Sequence, residues 1–222
     1  DAVADLLWTP SIDADENLLR EGISKARIDL VGNIMIDTIE MLRDKMEAFD
    51  IGAVCPFSRG EYGVATIHRP SNVDTQSALY EIVTALIDVS DEFPLVFPVH
   101  PRTAEALDNF GMRSLLHEAN IFLLEPLGYL EFMALVMSSC LVITDSGGIQ
   151  EETSYLGVPC FTLRNNTERP ITVEKGTNCL VKPHELVGAV KDVEPCEPPV
   201  ISLWDGKTAN RVALSLRRYA GA

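Results

Sequence analysis

The sequence predicts an α/β fold: a mostly parallel sheet with helices on both faces. Three observations carry this. Short apolar runs alternate with amphipathic ones along most of the chain, which is the pattern of repeated βαβ units. The apolar runs are mostly continuous rather than alternating, as strands buried on both faces require. Polar clusters follow them: "TIHR", "PVHPR", "LLEPLGY", "ITDSGG" and "LRNNTERP". In parallel α/β sheets, ligands sit at the carboxyl ends of the strands, so these clusters are expected at one rim.

In chain order, "IDLVGN" (28–33) reads as a strand and 35–49 as a helix. Residues 63–68 form a strand, and 76–93 a helix with apolar spacings of three and four. "PLVFPVH" (94–100) is a strand that Pro98 breaks or ends, and 103–110 a helix opened by Thr103. A strand is expected at 121–127 and a helix at 129–139. Then come a strand at 140–144, a helix at 148–157 stopped by Gly157, and a strand at 158–164. "NCLV" (178–181) is a candidate strand, the acidic, Pro-rich "EPCEPP" (194–199) a surface crossing, and 210–220 a closing helix.

The 222 residues, 46% hydrophobic, suffice for one large α/β domain, or one domain and part of another. A net charge of −15 disfavours a nucleic-acid partner, which needs a basic face. A small anion would have to be met by a few focused cations, backbone amides and helix N-termini. Cys55, Cys140, Cys160, Cys179 and Cys196 form no C-x-x-C pair and read as buried free thiols in a reducing cytosol. No apolar run nears the roughly 18 residues of a membrane span, and no secretory leader opens the chain, so a cytoplasmic location is expected. Because the chain starts at Asp1 without a Met, a missing beginning is expected.

"TDSGGIQEE" (144–152) leads from a strand through two glycines into a helix. Free N–H groups at such a helix start attract phosphate, and glycines let the ligand approach. An ordinary tight turn with Ser or Asp as N-cap explains the segment as well; on these residues alone the two readings balance. Glu152 lies about one helical turn beyond Gly148, a distance that suits a ribose diol rather than a phosphate. Glu151, rotated about 100° away, is expected to face solvent.

His68 and Arg69 end one strand, suited to proton transfer and to phosphate, with a structural hydrogen bond as the plainer reading for the histidine. His100 and Arg102 repeat the arrangement. In "LRNNTERP", Arg164 with Glu168 reads as a structural pair and Arg169 as the better ligand candidate. Tyr129, Phe132 and Leu135 are spaced like a buried helix stripe. His117 and His184 are assigned nothing. No metal-ligand spacing, P-loop or nucleophile elbow is present.

"HRPSNVD", "VHPRT", "LLEPLGYLEFMALV", "TDSGGIQEE", "RNNTERP", "GTNCLV" and "LWDGKTANRV" occur in this order. Together they resemble the non-hydrolysing UDP-N-acetylglucosamine 2-epimerases, from about Leu7 to Arg218. The resemblance implies the two-domain glycosyltransferase B-type fold, of which this chain would be the Rossmann-like C-terminal part. Residues 1–29 would be the tail of a first domain, 30–205 the UDP-binding domain, and 206–222 a helix returning to the first domain. It implies reversible C2 epimerisation of UDP-N-acetylglucosamine to UDP-N-acetylmannosamine by UDP elimination and re-addition through 2-acetamidoglucal, without metal or other cofactor.

By similarity, Ser146, Gly147 and Gly148 match the phosphate loop, Glu152 the ribose contact and Arg169 a cationic site residue. Phe132 matches the uracil neighbour, against the core-stripe reading, and His68 a histidine implicated in catalysis. Arg69 and His100 match positions near a second, regulatory site. Pro70-Ser71 stands where several members have Arg-Glu, which puts that regulation in doubt, and "LVKPHEL" (180–186) departs from the usual pattern. The acid/base carboxylates of the family fall mostly before Asp1, so this chain by itself is expected to be inactive. Members are often dimers, which makes a homodimer an open expectation. A hydrolysing relative releasing N-acetylmannosamine and UDP, or a nucleotide-sugar glycosyltransferase on the same fold, remains an alternative.

Overall fold

Apolar runs of three or four residues suffice for strands buried on both faces of a parallel sheet, and the central strands are of that kind. The computed structural model describes residues 3–193 and 197–221. Their elements, in chain order, begin with β1 (Leu7–Thr9), α1 (Ile12–Arg20), β2 (Ile28–Leu30) and α2 (Ile34–Glu47). Next are β3 (Gly63–Thr66), α3 (Pro70–Val73), α4 (Gln76–Ser90), β4 (Leu95–Pro98), α5 (Pro101–Asn109) and α6 (Arg113–His117). Then follow β5 (Ile121–Leu124), α7 (Tyr129–Met137), β6 (Leu141–Thr144), α8 (Gly147–Leu156) and β7 (Cys160–Thr162). The chain finishes with α9 (Pro170–Glu174), β8 (Asn178–Leu180), α10 (Leu186–Lys191) and α11 (Thr208–Ala220).

Contacts group the described residues of Asp1–Asp44 and Pro199–Ala222 into one unit, and those of Lys45–Pro198 into another. In the first, β1 and β2 pair in parallel, Leu7 opposite Ile28 and Thr9 opposite Leu30. The expected strand at 28–33 stops at Leu30 because Gly32 turns the chain at φ +95°. A Cβ on Gly32 would collide with the Leu203 carbonyl, so only glycine fits.

The second unit holds a six-stranded parallel sheet in the order β5-β4-β3-β6-β7-β8. Every residue of β4, β6 and β7 is buried. The core joins Ala65, Leu95, Phe97, Leu141, Ile143 and Phe161 of the sheet to Leu79, Ile82, Val83 and Leu86 of α4. Such burial stabilises by roughly 1.5–3 kcal/mol per large side chain. The strand order runs outward from β3 to β5, then returns to β6 on the other side of β3. The carboxyl ends of β3 and β6 therefore flank a topological switch point, where a crevice opens in doubly wound sheets. The predicted α/β, doubly wound parallel sheet is what the structure has.

Two local expectations are corrected. Helix α5 opens at Pro101, not Thr103, with His100 as its N-cap; Thr103 lies inside the helix and its hydroxyl donates to the Ile67 carbonyl. Of the free thiols, Cys55 and Cys160 are buried, but Cys179 is exposed; Cys196 and the start of the 194–199 crossing lie outside the described residues. Among the described residues no helix is long and apolar enough to cross a membrane.

Candidate active site at the sheet switch point

The two loops at the switch point are tied together by one carboxylate. Asp145, directly after β6, is fully buried. Its Oδ2 accepts from the backbone N–H of Arg69 at 2.8 Å and from Asn72 Nδ2 at 3.0 Å. Its Oδ1 lies 3.1 Å from His68 Nδ1, and both oxygens lie 3.1 Å from the His68 amide. Arg69 Nε returns a bond to the Asp145 carbonyl at 3.0 Å. Burial pushes the Asp145 carboxyl up, but the hydrogen bonds from His68, the Arg69 amide and Asn72 outweigh it and hold the group below its usual range. Sequence reasoning saw Asp145 only as a candidate cap.

Two residues later the chain enters α8. Ser146 is the N-cap in extended conformation, and its side chain makes no capping bond; its own amide donates to Thr144 Oγ1 at 2.9 Å. The first amides of a helix have no intrahelical acceptor, so this start offers donors without a side-chain cap over them. A Cβ on Gly148 would meet nothing within 4 Å, and one on Gly147 only Arg69 and Glu168 side-chain atoms at 3.9 Å. Space is thus open at Gly148, while Gly147 is bordered by the Arg69 and Glu168 side chains at van der Waals distance.

Deeper along α8 the two glutamates take different partners. Glu152 is 2% exposed, and Tyr129, the first residue of α7, donates to its Oε1 at 2.9 Å. Burial first, with the neighbouring charge of Glu151, pushes its carboxyl up to about 7, although the Tyr129 bond pulls the other way. Glu151, expected in solvent, is buried instead. Its Oε2 lies 3.1 Å from Arg169 Nε, an ion pair by distance, although that N–H lacks a well-aligned hydrogen-bond acceptor.

Arg169 lies on a loop that α8 itself anchors. Gln150, fully buried, donates to the Ser146 carbonyl at 3.1 Å. Its Oε1 accepts from Thr167 Oγ1 at 2.5 Å and from Asn178 Nδ2 at 3.0 Å. Asn178 also donates to Thr172 Oγ1, and Thr172 to the Arg169 carbonyl, at 3.1 and 2.7 Å. The predicted Arg164–Glu168 pair is present, two-pronged at 2.8 and 2.7 Å. It holds Glu168 down to about 2.

His68, Arg69, Ser146, Gly147, Gly148, Glu151 and Arg169 thus meet around α8. His100 stands beside His68, ring centroids 5.2 Å apart, while its Nδ1 accepts from Arg102 N at 3.2 Å as the cap of α5. Arg102 is spent on Asp74, at 2.8 and 2.7 Å. On α7, Leu135 is buried, Phe132 half-buried and Tyr129 exposed, so the stripe faces the core only at its far end. Among the described residues no cluster of His, Cys, Asp or Glu could hold a metal ion.

A sequence model of the family described as UDP-N-acetylglucosamine 2-epimerase matches residues 1–217. The chain belongs to the UDP-N-acetylglucosamine 2-epimerase family. It is 38% identical over 204 residues to the UDP-N-acetylglucosamine 2-epimerase of Methanococcus maripaludis, covering 86% of this chain and 54% of that protein. The UDP-2,3-diacetamido-2,3-dideoxy-D-glucuronate 2-epimerase of Pseudomonas aeruginosa is 35% identical over 196 residues, 87% of this chain and 51% of its own length. Among solved structures, the Methanocaldococcus jannaschii UDP-GlcNAc 2-epimerase in complex with UDP-GlcNAc and UDP matches with a TM-score of 0.85 at 35% identity, covering 97% of this chain and 62% of that one. The chain spans about half the length of the curated relatives it matches. In this member of the epimerase family, Asp145, Gln150 and Tyr129 tie the candidate site together, a role that sequence reasoning did not give them. The signal for Asp145, as the polar residue that ends the strand, lay inside "TDSGGIQEE" itself.

Proposed function

We propose that this chain forms the UDP-binding part of an enzyme that interconverts UDP-N-acetylglucosamine and UDP-N-acetylmannosamine. The observation that carries the reading is the start of α8: no side-chain cap, open space at Gly148 with no close contact at Gly147, and a buried carboxylate one turn further in. Amides of Gly147 and Gly148 with the Ser146 hydroxyl would hold the diphosphate, and the helix dipole favours its charge. Arg169 adds a positive charge nearby. Glu152 would accept from the ribose diol, and Phe132 would flank the uracil. Arg69 and His100, on the same rim, would border a second nucleotide-sugar site.

The reaction fits a site that grips a leaving group. UDP departs from C1 as the C2 proton is lost, giving 2-acetamidoglucal. UDP then returns to C1 and C2 regains a proton on the opposite face. His68 would be the group of this chain that acts on the reacting end. The remaining acid/base groups would come from the first domain, of which the unit containing β1, β2 and α11 would be a part. The Pseudomonas relative is named for a different sugar, so the nucleotide is the component this half is expected to read.

The test is UDP binding by calorimetry. Glu152→Ala should lose roughly 1.5–3 kcal/mol, a tenfold to hundredfold weakening, by removing hydrogen bonds to a charged acceptor; unchanged affinity refutes the ribose assignment. In the whole enzyme, proton NMR in deuterium oxide should show deuterium entering C2 and UDP-N-acetylmannosamine accumulating. Free N-acetylmannosamine with stoichiometric UDP identifies hydrolysis instead.

A further inference from the structure

We infer that Asp145 is a positioning residue for catalysis: it holds His68 with its ring proton on Nδ1 and leaves Nε2 as the nitrogen presented to substrate. The inference rests on the reading of His68 given above and adds a residue to it. Two conditions make the arrangement specific. Asp145 is fully buried and has no solvent to satisfy it, so its orientation is set by the donors around it. The Arg69 amide at 2.8 Å and Asn72 Nδ2 at 3.0 Å fall to Oδ2, His68 Nδ1 falls to Oδ1 at 3.1 Å, and the His68 amide lies 3.1 Å from both oxygens. An ionised carboxylate only accepts, so the ring nitrogen facing it must carry hydrogen. In neutral imidazole one nitrogen donates and the other accepts, so Nε2 is left with its lone pair. Beside the ring stand the His100 imidazole, ring centroids 5.2 Å apart, and the adjacent Arg69, both without an anionic oxygen; the Glu168 carboxylate near Arg69 is held by Arg164. The same carboxylate fixes the backbone at residues 68 and 69, so the ring and the phosphate-side Arg69 are set by one anchor.

Asp145→Asn gives the discriminating variant. The amide has one oxygen; the His68 amide lies equally close to both positions, so the choice is set by the Arg69 amide and Asn72 on the Oδ2 side, whose protons are fixed, against the His68 ring on the Oδ1 side, whose proton can move. The NH2 then faces His68 and donates to Nδ1, which forces the proton onto Nε2. Nitrogen-15 NMR of histidine-labelled protein at alkaline pH, where imidazoles are neutral, reads the tautomer directly, with His68→Gln to assign the signals. The expected result is an Nδ1–H ring in the unmodified chain and an Nε2–H ring in the variant. An Nε2–H ring in the unmodified chain overturns the inference, and that measurement stands even where the variant fails to fold. A folded variant with an unchanged tautomer overturns it as well. In the whole enzyme, Asp145→Asn should lower kcat by about 100-fold or more with a much smaller change in KM. A switched tautomer with undiminished turnover would uphold the orientation of the ring while refuting a catalytic role for His68, so the two failures are distinguishable.

Discussion

Replacing Glu152 by Gln should make the protein more stable at pH 8 than at pH 5 relative to the native chain. Burial raises this carboxyl from 4.5 to about 7, so the folded state holds its proton at pH values where the unfolded chain has lost it. Linkage fixes the sign. Below about 4.5 both states are protonated and nothing changes with pH; between 4.5 and about 7 only the folded state stays protonated, so stability falls as pH rises; above about 7 both are ionised and the loss is complete. At about 1.4 kcal/mol per unit, the full penalty is about 3 kcal/mol, of which about 2.5 kcal/mol accrues between pH 5 and pH 8. Glutamine has no charge to desolvate, and its oxygen can still accept from Tyr129. Any misfit of its amide is the same at both pH values and cancels in the comparison.

The assay is urea unfolding of both proteins at the two pH values. Both tryptophans, Trp8 and Trp204, lie in the unit that does not contain Glu152, so far-UV circular dichroism is the signal to follow. The variant-minus-native stability should rise by about 2 to 3 kcal/mol from pH 5 to pH 8. A difference that is flat with pH would mean Glu152 ionises as easily folded as unfolded, and the burial argument would be refuted.

Two further substitutions probe the scaffold around the site. Gln150→Ala strips partners from buried Asn178 and from Thr167, and at about 1–3 kcal/mol for each stranded group it should lower the unfolding midpoint and loosen the loop bearing Arg169, read by faster amide exchange there. Gly176→Ala would drive a Cβ into the Thr172 carbonyl and to 2.8 Å from Ser154 Cβ, so α8 or α9 must shift. A loss of about 1–3 kcal/mol is expected, and a thermal midpoint equal to the native one would show that the contact yields freely.

The sheet and the glycine turn into α8 were legible because their signals are local. A parallel strand buried on both faces must be an apolar run, as in "LVIT", and a strand-to-helix turn that must leave its amides open shows its glycines. The short helices α3, α6 and α9, of four or five residues, were not expected, since one turn is too short for periodicity and is set by caps and neighbours. The start of α5 was misplaced for a related reason. Thr103 is a good cap by type, but its hydroxyl is committed across 36 residues to Ile67, and an imidazole took the cap instead. Gln150 reads from sequence as an ordinary helix residue; only the fold brings Asn178 and Thr167 to it.

The paired glutamates show why charge counting could not resolve this site. Next to each other in sequence and both buried, they would destabilise the fold severely if each stood as a bare anion. The fold separates them by the rotation of one helical residue. Glu151 turns to a guanidinium, and its charge is neutralised within the pair with Arg169. Glu152 turns to a phenol and lies close to the point of taking a proton. Neither therefore sets a full, uncompensated negative charge against the uncapped helix start a turn away. That is the condition under which an acidic chain can keep two carboxylates beside a loop suited to a diphosphate. On the proposed reading Tyr129 and Arg169 would then belong to the anion site: take away the cation, and the carboxylate left behind would act against a diphosphate at the start of α8.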